Sequence, residues 1–125
     1  MMRLLLDTAV ILWWLDDAPQ LSEEVKHFLD SADAVHISAV SPWEITFKQH
    51  LGLLEGPGDL AERVHDLAFP GLPVTAAHGV RAGRLPMVHE DPFDRLLIVQ
   101  AQAHRLALVT RNALIPQYDV MVVRV

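Results

Sequence analysis

Apolar and polar positions change period several times along this chain of 125 residues. Met2–Leu6 is a short, mostly apolar run that predicts a buried strand, with Asp7 at its end. Thr8–Leu15 reads as a short helix, closed by the polar Asp16–Gln20 segment and its Pro19. Ser22 is placed to cap a second helix through Val25, Phe28 and Leu29, with Glu23 and Glu24 in the first turn, where the helix dipole favours acids. Val35–Ser38 predicts a second strand. Ser41-Pro42-Trp43-Glu44 has the grammar of a helix start: a capping hydroxyl, proline at the first helical position and an acid three residues after the cap. That helix is expected to run through Ile45, Phe47 and Leu51 and to end near Gly52. Asp59 would cap a helix over Leu60–Ala68, Pro70-Gly71 breaks it, and Leu72–Thr75 predicts a third strand. A short helix near Ala76–Leu85 follows. Asp91-Pro92 opens the clearest helix, in which Phe93, Leu96, Leu97, Gln100 and Ala101 share a face as far as His104. Leu106–Thr110 and Val120–Val123 predict a fourth and a fifth strand.

Strands alternating with helices indicate an α/β fold with a mainly parallel sheet of four to five strands. The length suits a single domain over residues 1–125, and a composition of 51% apolar residues is that of a globular chain. No apolar run reaches the roughly 18 residues that a membrane span needs, and no signal peptide is expected, so a cytoplasmic protein is the simplest reading. The absence of cysteine excludes disulfide frameworks, thiolate zinc sites and cysteine nucleophiles. The net charge of −6 is uneven: residues 1–63 hold eleven acids against four Lys/Arg, and residues 64–125 hold five against six. An acidic total argues against broad nonspecific nucleic-acid binding, yet bound divalent cations offset clustered carboxylates locally.

Four polar positions occupy comparable places. Asp7 ends the first strand, Glu44 opens a helix after the second, Asp94 lies in the first turn of the long helix, and Asn112 follows the fourth strand. In open α/β sheets, sites form at the carboxyl ends of strands. Carboxylates gathered there repel one another unless a cation joins them, and hard oxygen ligands suit Mg²⁺ or Mn²⁺.

Four segments then resemble, in order, the landmarks of PIN-domain proteins, and most closely VapC-type toxins of bacterial toxin–antitoxin pairs. They are Leu4-Leu5-Leu6-Asp7-Thr8, Ser41-Pro42-Trp43-Glu44-Ile45, His89-Glu90-Asp91-Pro92-Phe93-Asp94-Arg95-Leu96-Leu97-Ile98 and Leu108-Val109-Thr110-Arg111. The resemblance implies a three-layer α/β/α sandwich and an endoribonuclease that uses Mg²⁺ or Mn²⁺. It implies Asp7, Glu44 and Asp94 as the acidic, metal-holding core. It also implies RNA as substrate, a VapB-like antitoxin as partner and a homodimer. Such antitoxins dock a C-terminal segment over the acidic site, sometimes with an arginine among the carboxylates. A fourth acid often stands where this chain has Asn112. That departure leaves Asp91 either to compensate or simply to cap its helix.

Each residue also has a plainer role. Asp7 and Asp91 can be helix caps, Glu44 a capping-box acid beside Ser41, and Asp94 an acid favoured by the helix dipole. Only their joint order makes a site. The seven histidines show no zinc spacing, and His89 alone stands near Asp91. Of Trp13 and Trp14, one is expected in the core and the other on a partner surface; Trp43 is expected in the core. Arg95, Arg105 and Arg111 are candidates for phosphate contact, with an ion pair to Asp94 as the alternative for Arg95. Two other functions compete. An aspartyl-phosphate enzyme built on Asp7 lacks the second Asp two residues on. A PIN-like binding module with weak catalysis, pairing with an antitoxin-like protein, is kept open by Asn112.

Overall fold

The structure, a computed structural model, describes residues 2–125. Three consecutive leucines, Leu4, Leu5 and Leu6, are fully buried in strand β1 (Arg3–Leu6). Successive side chains of a strand point to opposite faces, so such a run requires cover on both sides. That cover defines the architecture. Leu4 and Leu6 face a core shared with Val10 and Ile11 of α1 (Thr8–Leu15), Leu29 of α2 (Glu23–Ser31), Ile45 of α3 (Val40–His50) and Val64 of α4 (Leu60–His65). Leu5 faces a second core with Phe93, Leu97, Ile98 and Ala101 of α6 (Pro92–His104). Helix α5 (Ala76–Arg84) lies against α6.

The remaining strands are β2 (Ala34–Ser38), β3 (Gly71–Leu72), β4 (Ala107–Thr110) and β5 (Val122–Arg124). Their order is β3-β2-β1-β4-β5, and every pairing is parallel. The chain leaves β1 toward β2 and β3, then returns to the other side of β1 for β4 and β5. The topological switch point therefore lies between β1 and β4, where Leu6 pairs with Val109 and the Asp7 amide donates to Val109 O at 3.0 Å. Asp7 and Asn112 sit at that crevice, where ligand sites of open α/β sheets form. Among the described residues, no helix is long and apolar enough to cross a membrane.

Several boundaries differ from those expected. Helix α3 starts at Val40, one residue before the predicted Ser41 cap, and Ser38 Oγ accepts from the Val40 amide at 3.1 Å. Ser41 is buried, and its hydroxyl lies 2.9 Å from Thr8 Oγ1, so tertiary contact has taken the group that would have capped the helix. Strand β3 ends at Leu72 because Pro73 has no N–H for a further rung, and Thr75, expected in that strand, caps α5 instead. Helix α4 stops at His65 rather than Ala68. Asp59 makes no capping bond there and pairs with Arg63 at 3.1 Å. Strand β5 starts at Val122, two residues later than the expected Val120–Val123 run, and ends at Arg124, one residue later.

Candidate metal centre

Asp7 caps α1: its backbone is extended (φ −61°, ψ 148°) and Oδ1 accepts from the Ala9 amide at 3.2 Å. Its other oxygen, Oδ2, accepts from Thr110 Oγ1 at 2.6 Å, across the β1–β4 switch point. Capping and site chemistry thus share one carboxylate. Burial raises the Asp7 pKa above the ordinary range; the Thr110 and Ala9 hydrogen bonds oppose this, Glu44 adds to it and Lys48 offsets part of it. With both oxygens engaged, Asp7 makes a poor covalent nucleophile, which weighs against the aspartyl-phosphate reading.

Glu44 is buried on α3. It caps nothing: Oε1 accepts from Thr8 Oγ1 at 2.6 Å, and Oε2 meets Lys48 Nζ, one turn further on, at 2.5 Å. Because the Thr8 proton goes to Glu44, Ser41 donates to Thr8, and three residues from two helices set the position of this carboxylate.

Asp94 is buried in the first turn of α6, whose start is fixed by Asp91. Asp91 Oδ1 accepts from the amides of Phe93 and Asp94 at 2.8 and 3.0 Å, so Asp91 is the cap that the Asp-Pro start predicts. Its Oδ2 lies 3.9 Å from Lys48 Nζ. Asp94 Oδ2 meets His89 Nε2 at 2.7 Å and Asn112 Nδ2 at 3.3 Å. Burial, reinforced by the charge of Asp7, pushes the Asp94 pKa up to about 6; the His89 hydrogen bond opposes the rise, and Asp91 and Glu44 add to it.

Asn112 is oriented by its own turn. Oδ1 accepts from the Leu114 amide at 2.9 Å, which points the NH₂ group at Asp94 and His89. The residue in the fourth position is therefore a donor to Asp94 rather than an oxygen ligand. The backbone N–H of Asn112 also donates to Thr110 Oγ1 at 3.0 Å, which links it through Thr110 to Asp7.

Asp7, Glu44 and Asp94 thus converge on one edge and act on one another electrostatically. The closest grouping of possible ligand atoms is a different one. Among the described residues, His89, Asp91 and Asp94 each offer an atom within 4.8 Å of the others, and Asp7 and Glu44 stand outside that set. The donor chemistry fits a divalent cation: buried carboxylates raise one another's pKa, with Lys48 as the cation that faces Glu44 and Asp91.

Two other expected roles are corrected, those of Arg95 and Trp43. Arg95 neither pairs with Asp94 nor faces solvent; it is buried and donates to the carbonyls of Ala82, Leu85, Pro86 and His89. Arg111 is committed to the carbonyl oxygens of Val125 and Gln20 and stacks over Trp13 at 4.7 Å. Arg105 closes α6 in the left-handed conformation (φ 55°). Trp43, expected in the core, is 57% exposed and meets Phe93 edge-on at 4.9 Å. Sequence reasoning missed Thr8, Lys48 and Thr110 as partners of the acids. Only Lys48 carried a pattern, the i, i+4 spacing from Glu44.

A parallel sheet with acids gathered at the carboxyl edge of its switch point is the plan of a PIN domain. The PIN domain family matches residues 4–120, and the chain belongs to that family. Ribonuclease VapC22 of Mycobacterium tuberculosis is 28% identical over 120 residues, covering 90% of this chain and 88% of that protein. The fold is shared with VapBC2 from Rickettsia felis, solved bound to a promoter DNA fragment (TM-score 0.74, 15% identity, 98% of each chain covered). It is also shared with a toxin–antitoxin complex from Klebsiella pneumoniae (TM-score 0.66, 23% identity, 96% of this chain and 95% of that one). FitAcB from Neisseria gonorrhoeae is a third structure of this fold (TM-score 0.64, 24% identity, 95% of each chain).

Proposed function

We propose that the chain, as a single PIN domain over residues 1–125, is a cytoplasmic endoribonuclease that requires Mg²⁺ or Mn²⁺ and acts as the toxin of a toxin–antitoxin pair. The observation that carries this reading is Asp94: a buried carboxyl at the sheet's switch point, burdened by the charges of Asp7, Asp91 and Glu44. Burying such a group is unfavourable for a fold, and a divalent cation removes the cost. Asp7 and Asp94 would hold the ion, with Glu44 beside it. A bound divalent ion supplies Lewis-acid stabilisation of the phosphoryl oxygens and makes water a stronger acid. Glu44, fixed by Thr8 and Lys48, orients the attacking water. Asn112 keeps Asp94 in place by donating to it, and Lys48 brings a positive charge to the cleft for the RNA phosphate.

The nuclease reading draws further support from the similarity to ribonuclease VapC22, and the antitoxin partner from the toxin–antitoxin complexes that share the fold. A homodimer accompanies it as the family expectation. The deciding experiment is Asp7→Asn in an Mg²⁺-dependent RNA cleavage assay with the antitoxin absent. Loss of cleavage with folding retained is expected; unchanged cleavage sinks the assignment. A second reading, a binding module with weak catalysis, is favoured by one observation: Asn112 spends its oxygen on Leu114 and gives the site no fourth acid. Thermal stabilisation by Mn²⁺ without RNA cleavage would select it.

A further inference from the structure

The segment between α5 and α6 turns its side chains to water: Pro86, Met87, Val88 and Glu90 are all exposed. Apolar burial therefore does little to hold it, and its place is set by hydrogen bonds to its main chain. Two buried side chains supply them. Arg95 Nε donates to Ala82 O at 3.0 Å, Nη2 to Leu85 O at 2.7 Å, and Nη1 to Pro86 O and His89 O, both at 3.0 Å. From the other side, the Tyr118 hydroxyl donates to Pro86 O at 2.7 Å and accepts from the His89 amide at 2.8 Å. The Tyr118 ring is buried in the second core, beside Ile115 and Leu108, so its hydroxyl is held by packing that has no part in the acidic site.

The two groups divide the backbone of His89 between them. Tyr118 fixes the peptide plane before its Cα and Arg95 the plane after it. Only two soft dihedrals lie between those planes, so fixing both fixes the direction in which the side chain leaves the backbone. That direction carries the imidazole to Asp94, whose Oδ2 accepts from His89 Nε2 at 2.7 Å and from Asn112 Nδ2 at 3.3 Å. Asn112 and Tyr118 both belong to the connection between β4 and β5. One connection thus holds Asp94 twice, directly through Asn112 and indirectly through Tyr118 and His89.

We propose that Tyr118 is a positioning residue of the nuclease site: its hydroxyl sets His89, and His89 sets the orientation of the Asp94 carboxylate. The inference rests on the nuclease reading above. Tyr118→Phe tests it, because the ring stays in the core and only the hydroxyl is lost. In the metal-free protein labelled with ¹⁵N-histidine, NMR of the wild type should show one hydrogen-bonded Nε2–H tautomer for His89. The His89 signals should shift or broaden in Tyr118→Phe. Ile115→Val, which thins the same core without touching these bonds, should leave them in place. In RNA cleavage, Tyr118→Phe should lower kcat about tenfold and change KM by less than about twofold, as expected of a misplaced group rather than a lost binding contact. In a His89→Ala background the same loss of the hydroxyl should change kcat by less than about twofold, since the effect passes through the imidazole. Unaltered His89 signals in Tyr118→Phe would overturn the proposal alone, as would a fall in kcat that persists in full without His89. A wild type that cleaves no RNA with Mg²⁺ or Mn²⁺ would overturn the nuclease reading and the proposal with it.

Discussion

Asp94 shows how one side chain can be unfavourable for the fold yet useful to the site. Its pKa is raised from 3.8 to about 6, chiefly by burial and by Asp7. The native state therefore holds a proton more tightly than the unfolded chain does. This contribution to stability is fully present below pH 3.8 and is lost as the pH rises through about 6. Without metal, Asp94→Asn should be more stable than the wild type at pH 7.5, and the advantage should vanish at pH 4. Paired thermal melts in a chelating buffer check this. Mn²⁺ should reverse the order at pH 7.5, because the ionised carboxylate is the form that binds it. Arg95 behaves oppositely. Arg95→Met removes the guanidinium from four carbonyls, of which Pro86 O keeps the Tyr118 hydroxyl as a donor, and should destabilise the protein by at least about 3 kcal/mol in urea titration. Arg95→Lys should recover only part, because an ammonium cannot span the same fork of acceptors. The sequence placed Asp94 correctly beside helix and motif. It could not show that Arg95 turns inward, since adjacency to an acid suggests an ion pair until the loop around it is known.

Elements were most legible where a local signal governs them. Asp91-Pro92 and Ser22 do cap their helices, because a side-chain oxygen three residues from an orphan amide needs nothing distant. Ser41 failed by the same standard, as the approach of Thr8 from 33 residues away took its hydroxyl. Thr75 is the converse case. Its side chain accepts from the His78 amide at 3.2 Å, while His78 Nδ1 accepts from the Thr75 amide at 3.0 Å, closing a capping box. Thr75→Ala should cost about 1 kcal/mol in urea titration at pH 7.5. The His78 pKa is lowered by burial, with help from the charges of His104 and Arg81. A lowered histidine contributes stability that is present above its ordinary 6.5 and lost as the pH falls. Protonation also removes the Nδ1 lone pair from the box. The protection of the Thr75 amide against exchange, relative to the unfolded rate at each pH, should therefore fall below pH 6.5 before that of the core strands.

At the scale of the whole molecule, the parallel sheet follows from alternation of strand and helix, and the site from where strand order reverses. Asp7 and Asn112, more than a hundred residues apart in sequence, meet through Thr110 because β1 and β4 are neighbours. Pattern reading placed the acids, but on the outer surface it pointed to Trp13 or Trp14 and took Trp43 for core. Trp43 and Phe47 of α3 and Leu51, its C-terminal cap, recur every four residues and are 57%, 45% and 53% exposed, against an expectation of core for Trp43. A helix places such residues on one stripe, and an exposed apolar stripe marks an interaction surface. The opposite side of the same helix carries Glu44 and Ile45 into the interior. Helix α3 therefore joins the acidic centre to this outer face. If the proposed homodimer uses the stripe, Phe47→Lys should convert dimer to monomer in light scattering while the melting temperature of the monomer stays within a few degrees of the wild type. Phe47 meets Trp43 edge-on and Phe93 at a tilt and is itself exposed, so the substitution tests the surface rather than the fold. A dimer that survives Phe47→Lys would place the self-association surface elsewhere on the molecule.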